Sequence, residues 1–267
     1  MDYNLNQKIN CEQNGVFYDP DSSRLTWEYY KDVYKEFKLY DDFYFEEPEY
    51  AKWTGYGYID EPDNQSNSNR LYVFAKRGEQ FKSNNHIFRL GGETDFNFNK
   101  MKFLALKRIA NYDLKIIKKL QKCQEYHHTF VNFSIMPATG NMQKVKSLGY
   151  NNDKLDRLDS FIAIIDDYYS KRDSIKIFSQ AGNNIEPLEQ YLTNFFDVYE
   201  YCREIYFLQD KDLVNELKKS GKNELSNQKD VERYVELANE FWHQKEKILR
   251  RQNDQSLFPS RDGGYLE

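Results

Sequence analysis

The sequence predicts an α+β protein that is mainly α, with a C-terminal helical bundle and a small N-terminal sheet. From about residue 98 onward apolar residues recur at helical spacing, whereas strand-like runs are confined to the first third. Hydrophobic residues make up 39% and aromatic residues 16% of the 267 residues, enough for a core rich in Phe, Tyr, Ile and Leu. We therefore expect an N-terminal helix and sheet (1–97) packed on a bundle (98–252), then a frayed tail (253–267).

The N-terminal part contains signals for one helix and two strands. Asp21 and the two serines after it are suited to cap a helix whose apolar series runs from Trp27 to Phe37. The polar run 63–69 predicts a surface loop. The runs 71–75 and 86–90 predict the strands of the small sheet.

The C-terminal part predicts about five helices. The clearest apolar series at helical spacing lie in residues 100–122, 155–169, 187–206 and 231–248. Pro187 fits the first turn of its helix, and a loop is expected around Pro137.

Composition and charge exclude several classes of protein. No run approaches the ~18 apolar residues that cross a bilayer, and the polar N-terminus lacks the apolar centre of a signal peptide. Cys11, Cys123 and Cys202 are isolated and odd in number, which disfavours a disulfide framework or a cysteine zinc site. These features predict a cytoplasmic protein without membrane contact. The net charge of −5 gives no general attraction for nucleic acid, and no cofactor is predicted.

Four short segments between residues 132 and 210 form a recognisable succession. They are Asn132-Phe133-Ser134-Ile135-Met136-Pro137, Asp156-Arg157-Leu158-Asp159, Phe195-Phe196-Asp197 and Tyr206-Phe207-Leu208-Gln209-Asp210. Together they resemble an uncharacterised bacterial family. Members of that family carry GGFIIFP-, DRFD- and FFLLQD-like segments, and the resemblance covers roughly residues 125–252. This chain departs from the pattern at Val131-Asn132 and at Leu158. The resemblance implies a shared fold and no particular activity.

A histidine- and asparagine-containing segment is the first candidate site. His127, His128 and Asn132, with Asn141 beyond the Pro137 loop, loosely resemble part of an HNH-type nuclease site. Such a site needs a neutral imidazole as base and a divalent metal that stabilises the transition state. A matching upstream motif and a second metal-binding histidine are missing, so the structural interpretation is favoured.

Charged residues at the start of a helix are the second candidate. Asp156, Arg157 and Asp159 follow Asp153, which stands four residues before Arg157. Acidic residues in a first turn are stabilised by the helix dipole, so these side chains are interpreted as structural polar groups. Arg157 is also expected to tie this helix to a buried carboxylate.

A basic stripe is the third candidate. If residues 100–122 form one continuous helix, its cations fall within about 120° of arc, opposite the apolar face; they are Lys100, Lys107, Arg108, Lys115, Lys118, Lys119 and Lys122. A stripe of one sign predicts a surface for nucleic acid or for an acidic protein. The favoured interpretation is nevertheless a solvated face, neutralised by acidic residues between 41 and 49.

Two functions therefore remain open. The first is a non-enzymatic binding or interaction protein of a bacterium or mobile element, with host defence among the roles that fit. The second is a metal-dependent hydrolase that acts on nucleic acid through the HNH-like residues. Whether the chain is an enzyme is left undecided by the sequence.

Overall fold

A computed structural model describes residues 3–9, 12–13, 16–17, 20–22, 24–39, 43–44, 51–53, 58–60, 72–76, 82–83, 86–87, 89–137, 142–171 and 185–256. Structural statements below refer to these residues. The predicted loop 63–69, the acidic side chains between 41 and 49, Asn141 and most of the predicted tail lie outside them.

The protein is mainly α with a small sheet, which confirms the predicted fold class. Short 3-10 turns lie at 20–22 and 130–132. The helices are α1 (Arg24–Val33), α2 (Lys100–Ile109), α3 (Leu114–Tyr126), α4 (Met142–Leu148), α5 (Leu158–Ser170), α6 (Ile185–Leu192), α7 (Val198–Tyr206), α8 (Lys211–Gly221) and α9 (Gln228–Ser256).

Ten strands form one central antiparallel sheet and three two-stranded ribbons in the described part of the chain. They are β1 (Glu12–Gln13), β2 (Val16–Phe17), β3 (Phe43–Tyr44), β4 (Ala51–Trp53), β5 (Tyr58–Asp60), β6 (Tyr72–Lys76), β7 (Lys82–Ser83), β8 (His86–Ile87), β9 (Arg89–Thr94) and β10 (Phe133–Pro137). The central sheet has the order β10-β9-β6-β3, and Ile135 of β10 stands opposite Gly92 of β9.

The helix predicted across residues 100–122 is interrupted. Its first half ends at Ile109, and Asn111 and Tyr112 adopt left-handed backbone conformations with φ of 48° and 58°. Asp113 then caps α3, because its side chain accepts a hydrogen bond from the Ile116 N–H. The basic residues therefore lie on two helices, and the single continuous stripe is not formed.

The helix predicted across residues 187–206 is also divided. Its first half, α6, ends at Leu192, and Asp197 caps α7 by accepting a hydrogen bond from the Glu200 N–H at 2.8 Å. Neither this break nor the one at 110–113 contains glycine or proline. At the C-terminus, α9 continues to Ser256, past the expected end of the bundle at residue 252.

One hydrophobic core includes residues from both predicted parts of the chain. Strand β10 comes from the bundle region yet pairs with β9 along its whole length. The Tyr34 hydroxyl of the N-terminal part donates to the Ile205 carbonyl oxygen at 2.6 Å and accepts from the Ile135 N–H at 3.2 Å. The sheet and the helices are thus packed into one structure.

Close approach of α8 to α5 depends on Gly221. A Cβ atom at this position would lie 2.0 Å from the carbonyl oxygen of Asp159, which is far inside van der Waals contact. The absence of a side chain therefore brings the end of α8 against the first turn of α5, where the charged residues of the second candidate site lie.

Candidate functional site

The candidate histidines lie at the end of α3 and are half-buried. His127 and His128 stack on each other with ring centroids 3.8 Å apart, and His128 has a left-handed φ of 67°. Burial lowers the pKa of His127 to about 3 and that of His128 to about 4, so both rings are neutral near pH 7.

Asn132 has a structural role, since both polar atoms of its carboxamide form hydrogen bonds with buried residues of the core. Its Oδ1 accepts from the Phe96 N–H at 2.9 Å and from Trp242 Nε1 at 2.8 Å, while its Nδ2 donates to the Phe96 carbonyl oxygen at 2.9 Å. Among the described residues, no group of three or more His, Cys, Asp and Glu side chains is arranged to hold a metal ion. The described part of the HNH-like segment therefore offers no assembled metal site.

Arg157 is the centre of a buried ionic cluster. Its Nη2 and Nε donate to the carboxylate of Asp159 at 2.7 and 3.1 Å, and Nη1 donates to Asp153 Oδ2 at 3.0 Å. The carbonyl oxygens of Ser220 and Asn223 accept the remaining two hydrogen bonds at 3.1 and 2.9 Å. All donors of the guanidinium are satisfied, and α5 is tied to the end of α8.

Asp156 bridges this region to two buried lysines. Its Oδ1 lies 3.2 Å from Lys146 Nζ, and its carbonyl oxygen accepts from Lys102 Nζ at 2.5 Å. Lys146 also lies 3.2 Å from Glu93 Oε1. Burial is the main reason that the pKa of Lys102 is lowered to about 7. The Asp156 backbone is left-handed, with φ of 49°, and its carboxylate is held by Lys146 and by Asn97 Nδ2, which donates to Asp156 Oδ2 at 2.5 Å.

A second buried cluster surrounds Asp95, and the sequence interpretation missed it. Lys245 Nζ donates to Asp95 Oδ2 at 2.6 Å and to Ser134 Oγ at 2.7 Å, and Ser134 Oγ donates to Asp95 Oδ2 at 3.0 Å. Serine beside lysine is an arrangement that can activate a nucleophile. Ser134 is only 1% exposed, however, so a substrate cannot reach it. The signal was present in the sequence, because Lys245 falls in the apolar register of the last helix.

The basic candidates separate into paired and unpaired cations. Lys119 Nζ lies 2.6 Å from Glu232 Oε1 and 3.5 Å from Glu236 Oε1, and Lys115 Nζ lies 3.7 Å from Glu232 Oε1. Both glutamates belong to α9. No carboxylate of the described residues forms an ion pair with the other cations of the predicted stripe, which are Lys100, Lys107, Arg108, Lys118 and Lys122.

Exposed apolar side chains accompany these cations. Met101 and Leu114 are each 75% exposed, Tyr112 is 56% exposed and Leu104 is 37% exposed. Met101, Leu104 and Arg108 are spaced to share one face of α2, as Leu114, Lys118 and Lys122 are on α3. We call these residues, together with Lys107 and Tyr112, the α2–α3 surface.

The α2–α3 surface combines apolar area with positive charge. The two helices contact each other, and Lys107 Nζ lies 5.3 Å from the ring centroid of Tyr112 at their junction. Asp113 is the one carboxylate between Lys100 and Lys122, and it caps α3. Apolar patches on a surface commonly mark interaction sites. This surface can therefore bury apolar side chains of a partner while its cations face acidic groups.

No protein-family model, curated protein or solved structure matches this chain. The resemblance to an uncharacterised bacterial family thus remains a prediction. Within the described residues, no helix combines the length and the apolar character that crossing a bilayer requires.

Proposed function

We propose that this protein is a non-enzymatic interaction protein whose α2–α3 surface binds an acidic, amphipathic segment of another protein. The observation that carries the proposal is the exposure of Met101, Leu104 and Leu114 beside cations that lack ion-pair partners among the described residues. Burying such side chains against a partner removes apolar surface from water, which favours binding. The cations favour a partner that carries acidic groups.

The aliphatic side chains favour a protein partner over nucleic acid. Protein surfaces that bind single-stranded nucleic acid combine cations with aromatic rings that stack on the bases. Tyr112 is the one aromatic side chain of the α2–α3 surface, whereas Met101, Leu104 and Leu114 are aliphatic. Apolar and charged residues at helical spacing fit a partner helix with one apolar face and acidic flanks.

The proposed setting is the cytoplasm of a bacterium, in host defence or in the function of a mobile element. Support for a bacterial setting comes from the family resemblance, which covers bacterial proteins. Cys123 and Cys202 are free, buried thiols, which is compatible with a reducing compartment.

Fluorescence anisotropy with a labelled peptide tests the proposed binding. The probe carries Leu at helical spacing and Glu elsewhere, and the control peptide has the same composition with the Leu residues scattered around the helix. We expect the purified protein to bind the first peptide more tightly, with affinity that falls as salt rises. Equal binding of both peptides, or of neither, would contradict the proposal.

Two sets of substitutions localise the binding. Met101→Ser with Leu104→Ser and, separately, Lys118→Glu with Lys122→Glu should each weaken binding about tenfold or more. Because these side chains are exposed, the variants should keep the far-UV circular dichroism of the wild type. Lys144→Glu, an exposed lysine of α4, is the matched charge control and should leave the affinity unchanged.

The alternative function, a metal-dependent hydrolase acting on nucleic acid, has its own assay. The protein is mixed with single- and double-stranded DNA and RNA, with and without Mg²⁺ or Mn²⁺, across a salt series. Cleavage that needs the metal and is lost on replacing His127 and His128 with Ala would favour this alternative. Salt-sensitive binding without cleavage would instead make nucleic acid the partner of the α2–α3 surface.

A further inference from the structure

Phe196, on the segment between α6 and α7, is the most exposed large apolar side chain among the described residues. Its ring is 90% exposed. The role of anchoring the start of α7 belongs to its neighbour Phe195, which is buried and packs edge-on against Tyr201 at a centroid distance of 5.2 Å. The ring of Phe196 therefore contributes little to the fold.

The backbone beneath this ring is held firmly. The Phe196 N–H donates to Glu200 Oε2 at 2.5 Å, and the Glu200 N–H donates to Asp197 Oδ1 at 2.8 Å. Glu200 Oε1 is also 3.1 Å from Lys38 Nζ, which links the segment to the N-terminal part of the chain. A side chain presented on a fixed backbone loses little conformational freedom when it is buried by a partner.

A cavity of about 310 Å³ lies beside the ring. Phe196 forms part of its wall, with Tyr199 and Leu208 and with Val214 of α8. This volume is at the small end of the range for ligand sites, and it is larger than one aromatic side chain. The same surface thus presents an apolar projection and a recess lined by both apolar and charged side chains, which we call the Phe196 cavity.

The rim of the Phe196 cavity carries one unpaired charge of each sign. Glu200 and Arg203 lie 3.5 Å apart, and Arg203 also pairs with Glu204 at 3.0 Å. Asp197 and Lys211 also line the cavity, and neither has an ion-pair partner among the described residues. A uniformly acidic or basic partner would meet a like charge here.

We propose that a second copy of this chain occupies the Phe196 cavity in a two-fold symmetric dimer. In this arrangement Phe196 of each copy enters the cavity of the other, and Lys211 of each copy faces Asp197 of the other. A two-fold contact must be self-complementary. A projection beside a recess that carries one charge of each sign without an ion-pair partner among the described residues meets that requirement. This contact is separate from the α2–α3 surface, so it does not depend on the proposed binding of an acidic segment.

The dimer should be weak. One aromatic side chain per copy buries much less area than the ~1,600 Å² of a standard stable interface. Association should therefore depend on concentration and should decrease with salt, because two of the contacts are between opposite charges.

Sedimentation equilibrium of the full chain over a wide concentration range tests the proposal. We expect the average mass to rise above the 32.2 kDa of one chain as concentration increases. Phe196→Ala should weaken association about tenfold or more and should leave the fold unchanged, because the ring is exposed. Met101→Ala, which changes another exposed apolar side chain, on the α2–α3 surface, is the control and should not alter association.

A charge pair makes the test specific for the proposed geometry. Lys211→Glu places a glutamate opposite Asp197 of the second copy and should dissociate the dimer. Adding Asp197→Asn removes that repulsion while keeping a side chain that caps α7, and it should restore part of the association. A mass of 32.2 kDa at all concentrations would overturn the proposal. So would a dimer that Phe196→Ala leaves intact, because another surface would then form it.

Discussion

Lys245 of α9 and Asp95, directly after β9, form an ion pair with Nζ and Oδ2 2.6 Å apart, although 150 residues separate them in the chain. Lys245 also donates to the Phe133 carbonyl oxygen at 2.7 Å and to Ser134 Oγ. Both charged side chains are fully buried. The last helix is therefore joined to two adjacent strands of the sheet by one ammonium group, which fixes how the helical part meets the sheet.

Removal of one member of this pair should be costly. Lys245→Met leaves the buried carboxylate of Asp95 without its cation, so we expect the free energy of unfolding to fall by about 3–5 kcal/mol. Urea denaturation followed by circular dichroism measures this change. Lys247→Met, an exposed neighbour on the same helix, is the control and should change stability by less than about 0.5 kcal/mol.

The double variant separates ionic pairing from packing. When Lys245→Met is combined with Asp95→Leu, no buried charge remains unpaired, and most of the lost stability should return. If the two single losses simply add in the double variant, the ion pair is not the cause of the destabilisation.

Replacement of Arg157 even by lysine should destabilise the protein. Lysine keeps the positive charge but cannot reproduce the five hydrogen bonds to Asp159, Asp153 and the end of α8. We expect Arg157→Lys to lower the free energy of unfolding by about 2–4 kcal/mol, because buried acceptors lose their donors. Thermal and urea unfolding measure the loss. The same substitution at the exposed Arg250 should be nearly neutral, and equal losses at the two positions would show that the buried hydrogen bonds contribute little.

The histidines should make the protein less stable in acid. The folded state holds the pKa of His127 at about 3 and that of His128 at about 4, below the usual value near 6.5. As pH falls below about 6.5 the unfolded chain takes up protons that the folded chain does not, so stability decreases toward pH 4 and 3. Urea unfolding at several pH values in this window gives the slope of the free energy of unfolding against pH.

Substitution of the two rings should flatten that slope. His127→Gln removes one titrating group, and His128→Asn removes the other while keeping a residue that tolerates a left-handed backbone. The double variant should lose less stability than the wild type between about pH 6.5 and 4. An unchanged slope would mean that the acid sensitivity arises from other groups.

Gly221 should not accept a side chain. Because a Cβ atom would lie 2.0 Å from the Asp159 carbonyl oxygen, Gly221→Ala must displace α8 from the start of α5. In an open helix this substitution would stabilise by up to about 1 kcal/mol, whereas here we expect a loss of more than about 2 kcal/mol. Lys219→Ala, two residues earlier and exposed, is the matched control for helix propensity. A stabilised Gly221→Ala protein would contradict the close contact.

Much of the secondary structure follows from local patterns in the sequence. The helix predicted from the series 155–169 is observed as α5, which begins three residues later at Leu158. The strand predicted at residues 71–75 is observed as Tyr72–Lys76. Breaks that lack glycine or proline were not predictable, because an aspartate such as Asp113 or Asp197 caps the start of a new helix only where the packing favours a turn before it. Strand β10 was missed because its pairing partner lies about 40 residues earlier in the chain.

The candidate sites, like the secondary structure, were predicted only in part from local sequence patterns. The sequence identified Arg157 and the basic residues of α2 and α3 by type and spacing. Spacing alone could not show which lysines are paired, since Lys119 meets Glu232 from a distant helix and Lys118 does not. The exposure of Phe196 could not be predicted either, because the local sequence does not distinguish it from the adjacent Phe195. Only the folded structure shows that Phe195 is buried and Phe196 is exposed.

The sequence by itself determined that the chain is mainly α with a small sheet and that its core is rich in aromatic residues. It also located several helices, because these depend on spacing within a few residues. Only the tertiary structure shows that Lys245 pairs with Asp95 and that Asn132 forms hydrogen bonds with Phe96 and Trp242. It also shows that Met101 and Phe196 are exposed. The physical reason is that the burial and pairing of a side chain depend on residues brought from distant parts of the chain. Local periodicity does not contain that information.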